Sequence, residues 1–269
     1  MISISTNYGS MFASKAAGAA QKTMNSAMEK LSSGLRINNA KDDAAGQGIA
    51  TRLTAEITSL NMASRNASDA QAMIDTAEAA HQEVHAILLR MREIAVQASN
   101  GTLSASDRTA LNAEVTALET EITSIADNTT FAGTNLGTSV AVAFQIGTAQ
   151  GVTLSHKFAD FDVSAIGANI AVNSVSTATA ALATIDGAIS TVSANRGTLG
   201  AISNRLSSTI ANLDNISVNL SSARGRIQDT DFAEETSNLA KSQIMQQAAT
   251  AMLAQANASK GSILTLIQG

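Results

Sequence analysis

The chain has 269 residues, a formal net charge of −5, no proline and no cysteine. The acidic balance argues against a nucleic-acid-binding protein, whose surface would be basic, and the lack of cysteine excludes disulfides and thiolate metal sites. Aromatic residues make up only 3% of the chain, so alanine and aliphatic side chains must form the core. A proline-free, alanine-rich chain favours long, closely packed helices over a pocket for a large ligand.

The chain ends carry little charge but no targeting pattern. The N-terminal segment has no basic stretch followed by an apolar one, so no cleaved secretory signal is expected. Polar residues interrupt every long uncharged window, such as residues 242–259, and we therefore predict no membrane span. We also predict no cofactor, because no binding motif for one is present.

A first helix is predicted over residues 3–33, with Gly34 placed as a left-handed C-terminal cap. Asp42 and Asp43 follow, and their carboxylates suit the N-terminus of a second helix. Adjacent side chains diverge on a helix, and no third ligand is spaced to join these two. Helix capping is therefore preferred over a metal site.

An unusually long helix is predicted over residues 44–99, whose only glycines stand near its start. Its apolar residues repeat every seven positions in two rows, which places both rows on one side of a helix. Ordinary helices run about 8–20 residues. A helix of this length indicates a structural strut.

A shorter helix over residues 104–128 is predicted after the Asn100-Gly101 turn. Ser104 and Asp107 have the spacing of a capping box. Apolar residues then recur at alternating spacings of four and three, from Leu111 onwards. This spacing predicts an amphipathic helix with one buried face.

Residues 130–175 have a different pattern and predict a β-hairpin region. Apolar and polar residues alternate over 140–146 and again over 152–158. Glycines in the intervening segment, 147–151, suit a turn. The remainder, 161–175, is expected to form a short strand or an irregular loop.

A second long helix is predicted over residues 177–223, with a break at Arg224-Gly225-Arg226. A large aliphatic residue occurs every seven positions along it, and small alanines occupy the first half of helix 44–99. Large and small side chains are complementary, so the two helices are predicted to pack antiparallel. The residues assigned to this intrasubunit seam are Leu60, Ile74, His81, Val84, Leu88, Met91, Ile185, Val192, Leu199, Leu206, Leu213 and Leu220.

A last helix is predicted to begin near Asp231. The first 14 residues carry no charge, and the last 28 carry only Lys260. Two weakly charged amphipathic helices at opposite chain ends would lack apolar partners in one molecule, so they are expected to bury each other and neighbouring copies. The residues assigned to this assembly role are Met24, Met28, Leu31, Leu239, Ile244, Met245, Met252 and Leu253.

His81 and His85 are four residues apart on the long helix, the one histidine pair with metal-ligand spacing. No third ligand joins them, and His81 falls in the apolar seam. We predict a packed, hydrogen-bonded core histidine at position 81, whose burial disfavours the charged form. Acidification should then weaken the assembled protein.

Three segments together resemble bacterial flagellin, the subunit of the flagellar filament. They are LSSGLRINNAKDDAAGQGIATRL at 31–53, LLRMREIAVQASNGTLSASDR at 88–108 and SARGRIQDTDFAEETSNLAKSQIMQQAATAMLAQAN at 222–257. The resemblance covers both ends and roughly four fifths of the chain, leaving 138–175 unmatched. Because the motifs are long and in the family's order, the signal is highly specific.

The resemblance implies a mainly α fold, a long antiparallel helical bundle or coiled-coil rod with paired terminal helices and a small β-hairpin region. Residues 1–43 and 228–269 correspond to the inner terminal-helix domain, and 44–227 to the rod domain. Many family members carry variable outer domains in the middle. Only a short segment is available here, so we expect no outer domain and a comparatively smooth, thin filament.

The resemblance also implies how the chain functions and where. The family self-polymerises into an extracellular filament for swimming, after export through the flagellar type III apparatus. Implied partners are copies of the chain, the export apparatus and its chaperone, the filament cap and the hook-junction proteins. The alternative is a hook–filament junction protein, which shares related terminal domains, whereas an enzyme is disfavoured because no catalytic cluster is present.

A contact surface is predicted on the second half of helix 44–99. Leu89 and Val96 lie off the main seam, as apolar side chains facing a second partner would. The resemblance adds Arg90, Ile94 and Glu114, positions at which the family contacts neighbouring subunits and is read by a Toll-like innate immune receptor. Leu89 departs from the polar residue common in strongly recognised members, which leaves receptor recognition open.

Overall fold

The computed structural model describes the backbone of residues 6–268 and the side chains of 6–262. Residues 3–5 of the first predicted helix lie outside this range. The described chain is mainly helical, as predicted, with long helices and two small antiparallel hairpins. The helices are α1 (Tyr8–Ser33), α2 (Ala44–Ala98), α3 (Ala105–Asn128), α4 (Val175–Gln228) and α5 (Phe232–Gln268).

Local sequence signals account for three of the helix ends. Gly34 adopts φ 74° and its N–H donates to the Lys30 carbonyl, as expected of a left-handed cap. One Asp43 carboxylate oxygen accepts from the N–H groups of Ala45 and Gly46 at the start of α2. The capping box of Ser104 and Asp107 is formed at the start of α3.

The segment between α3 and α4 contains two hairpins. The first pairs β1 (Thr130–Phe131) with β2 (Thr134–Asn135), and was not predicted as a separate element. The second pairs β3 (Ala141–Gln145) with β4 (Thr153–Lys157), at the position the alternating pattern predicted. The chain from 158 to 174 is irregular, and no helix or further strand forms between β4 and α4.

The predicted break at Arg224-Gly225-Arg226 is wrong, because α4 continues to Gln228. A single glycine in a helix costs only about 1 kcal/mol relative to alanine. At this position a side chain would also meet the Asp229 carboxylate, since an ideal Cβ on Gly225 would lie 2.7 Å from its Oδ2. Gly225 thus accommodates Asp229 within a continuous helix.

The chain forms two compact units. One contains the described chain up to Ala55 together with the chain from Asn219 onwards, and the other contains Glu56–Val218. The boundaries between these units fall inside α2 and α4. The domain boundaries predicted from the sequence, 43/44 and 227/228, were instead placed at helix ends. A regular helix gives no local sign in its sequence of where its packing partners change.

In the first unit, α1 and α5 pack side by side, and the two linkers that follow α1 and α4 pair. Leu35 forms an antiparallel bridge with Asp229. The Arg36 N–H donates to the Gln228 carbonyl at 2.7 Å, and the Thr230 N–H donates to the Gly34 carbonyl at 3.0 Å. The end of α1 is therefore held to the start of α5 by backbone hydrogen bonds.

In the second unit, α2 and α4 run antiparallel, as predicted. Polar pairs cross between them at Ser64–Asp214, Glu78–Arg196 and Arg92–Asp186. Their core has two apolar clusters, one between α2, α3, α4 and the 161–172 segment, the other between α2, α4 and the hairpins. By length and composition α4 alone among the described helices could cross a membrane, and some of its apolar residues, among them Ile185, Val192 and Leu206, are buried in these clusters.

Candidate assembly surfaces

The seam between α1 and α5 consists of small residues. Along each helix the buried positions recur every seven residues, which keeps them on one face. Most of them are alanine or serine, so the two backbones can approach closely. The buried residues are Ala13, Ala20 and Ala27 on α1, and Glu235, Ser242 and Ala249 on α5.

Polar contacts link the two helices along their length and show that they run antiparallel. Near the end of α1, the Lys30 ammonium lies 3.6 Å from the buried Glu235 carboxylate. Further along, Gln246 donates to Gln21. At the start of α1, the Asn7 amide donates to the Ala256 carbonyl at 3.1 Å while its oxygen caps the Ser10 N–H.

Large apolar side chains of α1 and α5 point away from the seam, and we call them the outward apolar set. Phe12 is 72% exposed and Ile244 is 66% exposed, although both are fully apolar. Eight such residues are at least half exposed. The outward apolar set comprises Tyr8, Met11, Phe12, Met28, Phe232, Ile244, Met245 and Met252.

The residues predicted for inner-domain assembly fall into two groups in the structure. Met28, Ile244, Met245 and Met252 belong to the outward apolar set. The others are half-buried: Met24, Leu31, Leu239 and Leu253. The residues assigned to assembly do not include the buried alanines or Glu235; the seven-residue spacing of Ala13, Ala20 and Ala27 was the signal that could have identified the seam.

The structure buries most of the residues assigned to the intrasubunit seam. Eleven of its twelve residues are buried, and Leu220 is half-buried. The buried members are Leu60, Ile74, His81, Val84, Leu88, Met91, Ile185, Val192, Leu199, Leu206 and Leu213.

His81 is buried in this seam, at 2% exposure, but one of its ring nitrogens lacks the predicted hydrogen bond. Its Nδ1 has no partner among the described residues, and its ring lies 4.5 Å from that of Phe161. Burial lowers the pKa of His81 to about 4, with Glu78 raising it and Arg196 lowering it by smaller amounts. The 161–172 segment supplies an aromatic contact in place of a polar one.

The predicted contact surface on α2 contains an exposed apolar pair and a charged cluster. Leu89 and Val96 are nearly half exposed. Arg90 binds the Glu114 carboxylate of α3 at 2.7 Å and Glu93 at 3.1 Å, and these hydrogen bonds raise the pKa of Arg90. The Arg90–Glu114 pair links α3 to α2 at the surface, beside the apolar cluster that the two helices share.

Ile94 does not belong to this surface, contrary to the prediction. It is 1% exposed and packs in the cluster shared by α2, α3 and α4. The second half of α2 packs against two helices at once, so its buried arc is wider than the two rows of a seven-residue repeat. Ile94 lies outside the two rows that face α4, but α3 covers it as well, so it is buried.

No metal-binding cluster is formed by the side chains that the structure describes. Among these residues there is no group of three or more histidine, aspartate or glutamate side chains that could hold a metal ion.

Comparisons with known proteins find similarity to proteins of the bacterial flagellar filament. The family of the bacterial flagellin N-terminal helical region matches residues 4–139, and that of the C-terminal helical region matches residues 182–267. A flagellin from Halalkalibacterium halodurans is 43% identical over 247 residues, covering 90% of this chain and 91% of its own. The flagellar filament 31.3 kDa core protein of Treponema maltophilum is 36% identical over 284 residues, covering 98% and 99%.

Solved structures extend the comparison to the fold. The crystal structure of Bacillus cereus flagellin is similar with a TM-score of 0.51 and 32% identity, over 55% of this chain and 88% of that one. A Vibrio parahaemolyticus structure described as a flagellar hook-associated protein has a TM-score of 0.61 over 70% of this chain and all of its own, at 17% identity. At that identity the second likeness concerns the fold alone.

Proposed function

Because this chain belongs to the bacterial flagellin family, we propose that it polymerises with copies of itself by burying the outward apolar set of α1 and α5. As a family member it is a structural subunit of the flagellar filament and not an enzyme. It is a short form, in which only two hairpins and irregular chain separate α3 from α4. Without an outer domain, its filament should be comparatively smooth and thin.

The observation that supports this proposal is that the terminal helices bury their small residues and expose their large apolar ones. Their shared seam buries small residues, while eight large apolar side chains remain exposed. Burying a large apolar side chain contributes about 1.5–3 kcal/mol, so covering the exposed set in an assembly would be strongly favourable. Large apolar side chains exposed in this number on two paired helices indicate an interaction site, and a second copy presents the same side chains.

The α2 surface is a second proposed contact between subunits. Leu89 and Val96 provide exposed apolar area, with the Arg90–Glu114 and Arg92–Asp186 pairs nearby. Apolar residues surrounded by charged ones are typical of interfaces with a polar rim. Ile94 would act from beneath, by supporting the helix face.

The proposals for specific partners rest on the family resemblance. We propose export in unfolded form through the type III apparatus with a chaperone, growth beneath a cap, and attachment through hook-junction proteins to give an extracellular filament. A Toll-like receptor that reads this family would meet Arg90 and Glu114, which are exposed, but not the buried Ile94. A hook–filament junction role stays the alternative.

Seeded polymerisation of the purified full-length chain tests the proposal. Wild-type chain should grow long filaments, followed by light scattering and electron microscopy, whereas a junction protein would stop at a short ring. Ile244→Ser should slow or abolish growth, because it removes an exposed apolar side chain from α5 without touching the seam. Val152→Ser, at an exposed apolar position in the hairpin region, is the control and should grow as wild type does.

Growth of Ile244→Ser at the wild-type rate would contradict the assignment of the outward apolar set. Circular dichroism of both variants checks that the helical content of the free subunit is unchanged.

A further inference from the structure

The methionines of the described chain differ sharply in exposure. Two of them, Met73 and Met91, are buried in the clusters of the second unit. Four lie at least half exposed on the terminal helices and belong to the outward apolar set. These four are Met11, Met28, Met245 and Met252.

We propose that Met11, Met28, Met245 and Met252 form an oxidation-sensitive site that determines whether a free subunit can assemble. Susceptibility of a thioether to peroxide follows its exposure, and all four are open to solvent in the single chain. The consequence for assembly rests on the proposed function, because it requires that copies pack on this face.

The chemistry needs hydrogen peroxide as the oxidant. The methionine sulfur attacks one peroxide oxygen, an S–O bond forms, the O–O bond breaks and water leaves. The sulfur loses two electrons, which the peroxide gains, and the product is the sulfoxide. No other group of the chain takes part.

A sulfoxide changes what the outward apolar set can bury. Its oxygen is a strong hydrogen-bond acceptor, and burial of an acceptor without a donor is unfavourable. Apart from the Tyr8 hydroxyl, no side chain of the outward apolar set offers a donor. Oxidised subunits should therefore fail to add to a filament, while subunits already assembled should have these sulfurs covered by their neighbours.

Peptide mass spectrometry of the peroxide-treated free chain tests the site. Each of the four methionines should gain about 16 Da, and Met73 and Met91 should react on the order of tenfold more slowly. In filaments the four methionines should be oxidised as slowly as Met73 and Met91. Equal reactivity of all methionines in the free chain would overturn the site.

Polymerisation assays test the consequence. Treated wild-type chain should lose most of its seeded growth, and methionine sulfoxide reductases of both epimer specificities should restore it. The variant Met11→Leu/Met28→Leu/Met245→Leu/Met252→Leu keeps the size and apolar character of the set and should grow after peroxide. The control Met62→Leu removes a half-exposed methionine of α2 and should remain sensitive.

The proposal is wrong if reductase treatment does not restore growth of oxidised wild-type chain, or if wild-type chain grows normally with all four sulfoxides present. The repair assay uses no variant, so its result stands even if the fourfold substitution impairs assembly. Failure of untreated wild-type chain to polymerise contradicts the proposed function instead, and the order of oxidation in the free chain still tests the site.

Discussion

His81 lies against the Phe161 ring in the α2–α4 seam, with Glu78 and Arg196 as the charged groups that face it. Burial is the largest influence on its pKa, and the two neighbouring charges oppose each other. The consequence is a histidine held neutral, whose protonation requires either unfolding or solvent entry.

The free energy of unfolding should fall as the pH is lowered from about 6.5 to about 4. In this window the unfolded chain binds a proton at residue 81 that the folded chain, with its pKa near 4, does not bind. The loss amounts to at most about 3 kcal/mol. Urea unfolding of the full chain at several pH values measures it.

His81→Leu should flatten this pH dependence, whereas His85→Leu, one turn away on the same helix, should keep it. A smaller slope of the same sign should persist in His81→Leu, because burial also lowers the pKa of His156. Parallel pH profiles for wild type and His81→Leu would show that His81 contributes nothing.

Gly137 and Gly187 provide opposite cases of glycine replacement. An ideal Cβ on Gly137 would lie 2.0 Å from the Ala126 carbonyl oxygen, whereas nothing lies within 4 Å of one on Gly187 in α4. Gly137→Ala should lower the free energy of unfolding by about 1–3 kcal/mol through overpacking. Gly187→Ala should raise it by up to about 1 kcal/mol, and denaturant titration of both variants should show the opposite signs.

The α1–α5 pair shows how a helix pair can be built around small side chains. Alanines at seven-residue spacing allow close backbone approach, and the polar contacts of Asn7, Gln21 and Lys30 connect the helices. Large residues are then left for the outer faces. The two helices therefore pack fully against each other along the seam, but they do not bury their large apolar side chains.

Ala20→Leu should disrupt this pair, because a larger side chain at a 3% exposed position must push the helices apart. Overpacking costs about 1–3 kcal/mol. The adjacent exposed residue gives a matched control, Ala19→Leu. The melting temperature of assembled filaments should fall for Ala20→Leu and stay near wild type for Ala19→Leu; equal values would place the seam elsewhere.

The helices could be predicted from the sequence because nothing in a proline-free chain opposes a continuous seven-residue repeat. The helices against which each one packs could be predicted less completely. Ile94 was assigned to the surface through the family resemblance, and the two-row pattern gave no sign that α2 packs against α3 as well as α4. The end of α4 was misplaced because a glycine was treated as a break where it accommodates Asp229.

The two units of the chain differ in how their apolar surface is used. The second unit encloses large aliphatic and aromatic side chains, among them Leu88, Phe161 and Leu206, within its own clusters. The terminal helices of the first unit enclose mostly alanine. Stability contributed by apolar burial should therefore be high in the second unit of a free subunit and low in its terminal helices.

Amide hydrogen exchange of the free and the polymerised full-length chain should reveal this difference. In the free subunit, amides of α1 and α5 should exchange faster than those of residues 80–98, because opening the terminal pair exposes little apolar surface. Polymerisation should slow exchange in α1 and α5 strongly, since neighbouring copies then cover the outward apolar set, and should leave residues 80–98 nearly unchanged. Full protection of α1 and α5 in a chain that stays monomeric would mean that the pair is stable without partners. In that case the exposed side chains of Phe12 and Ile244 would no longer indicate assembly.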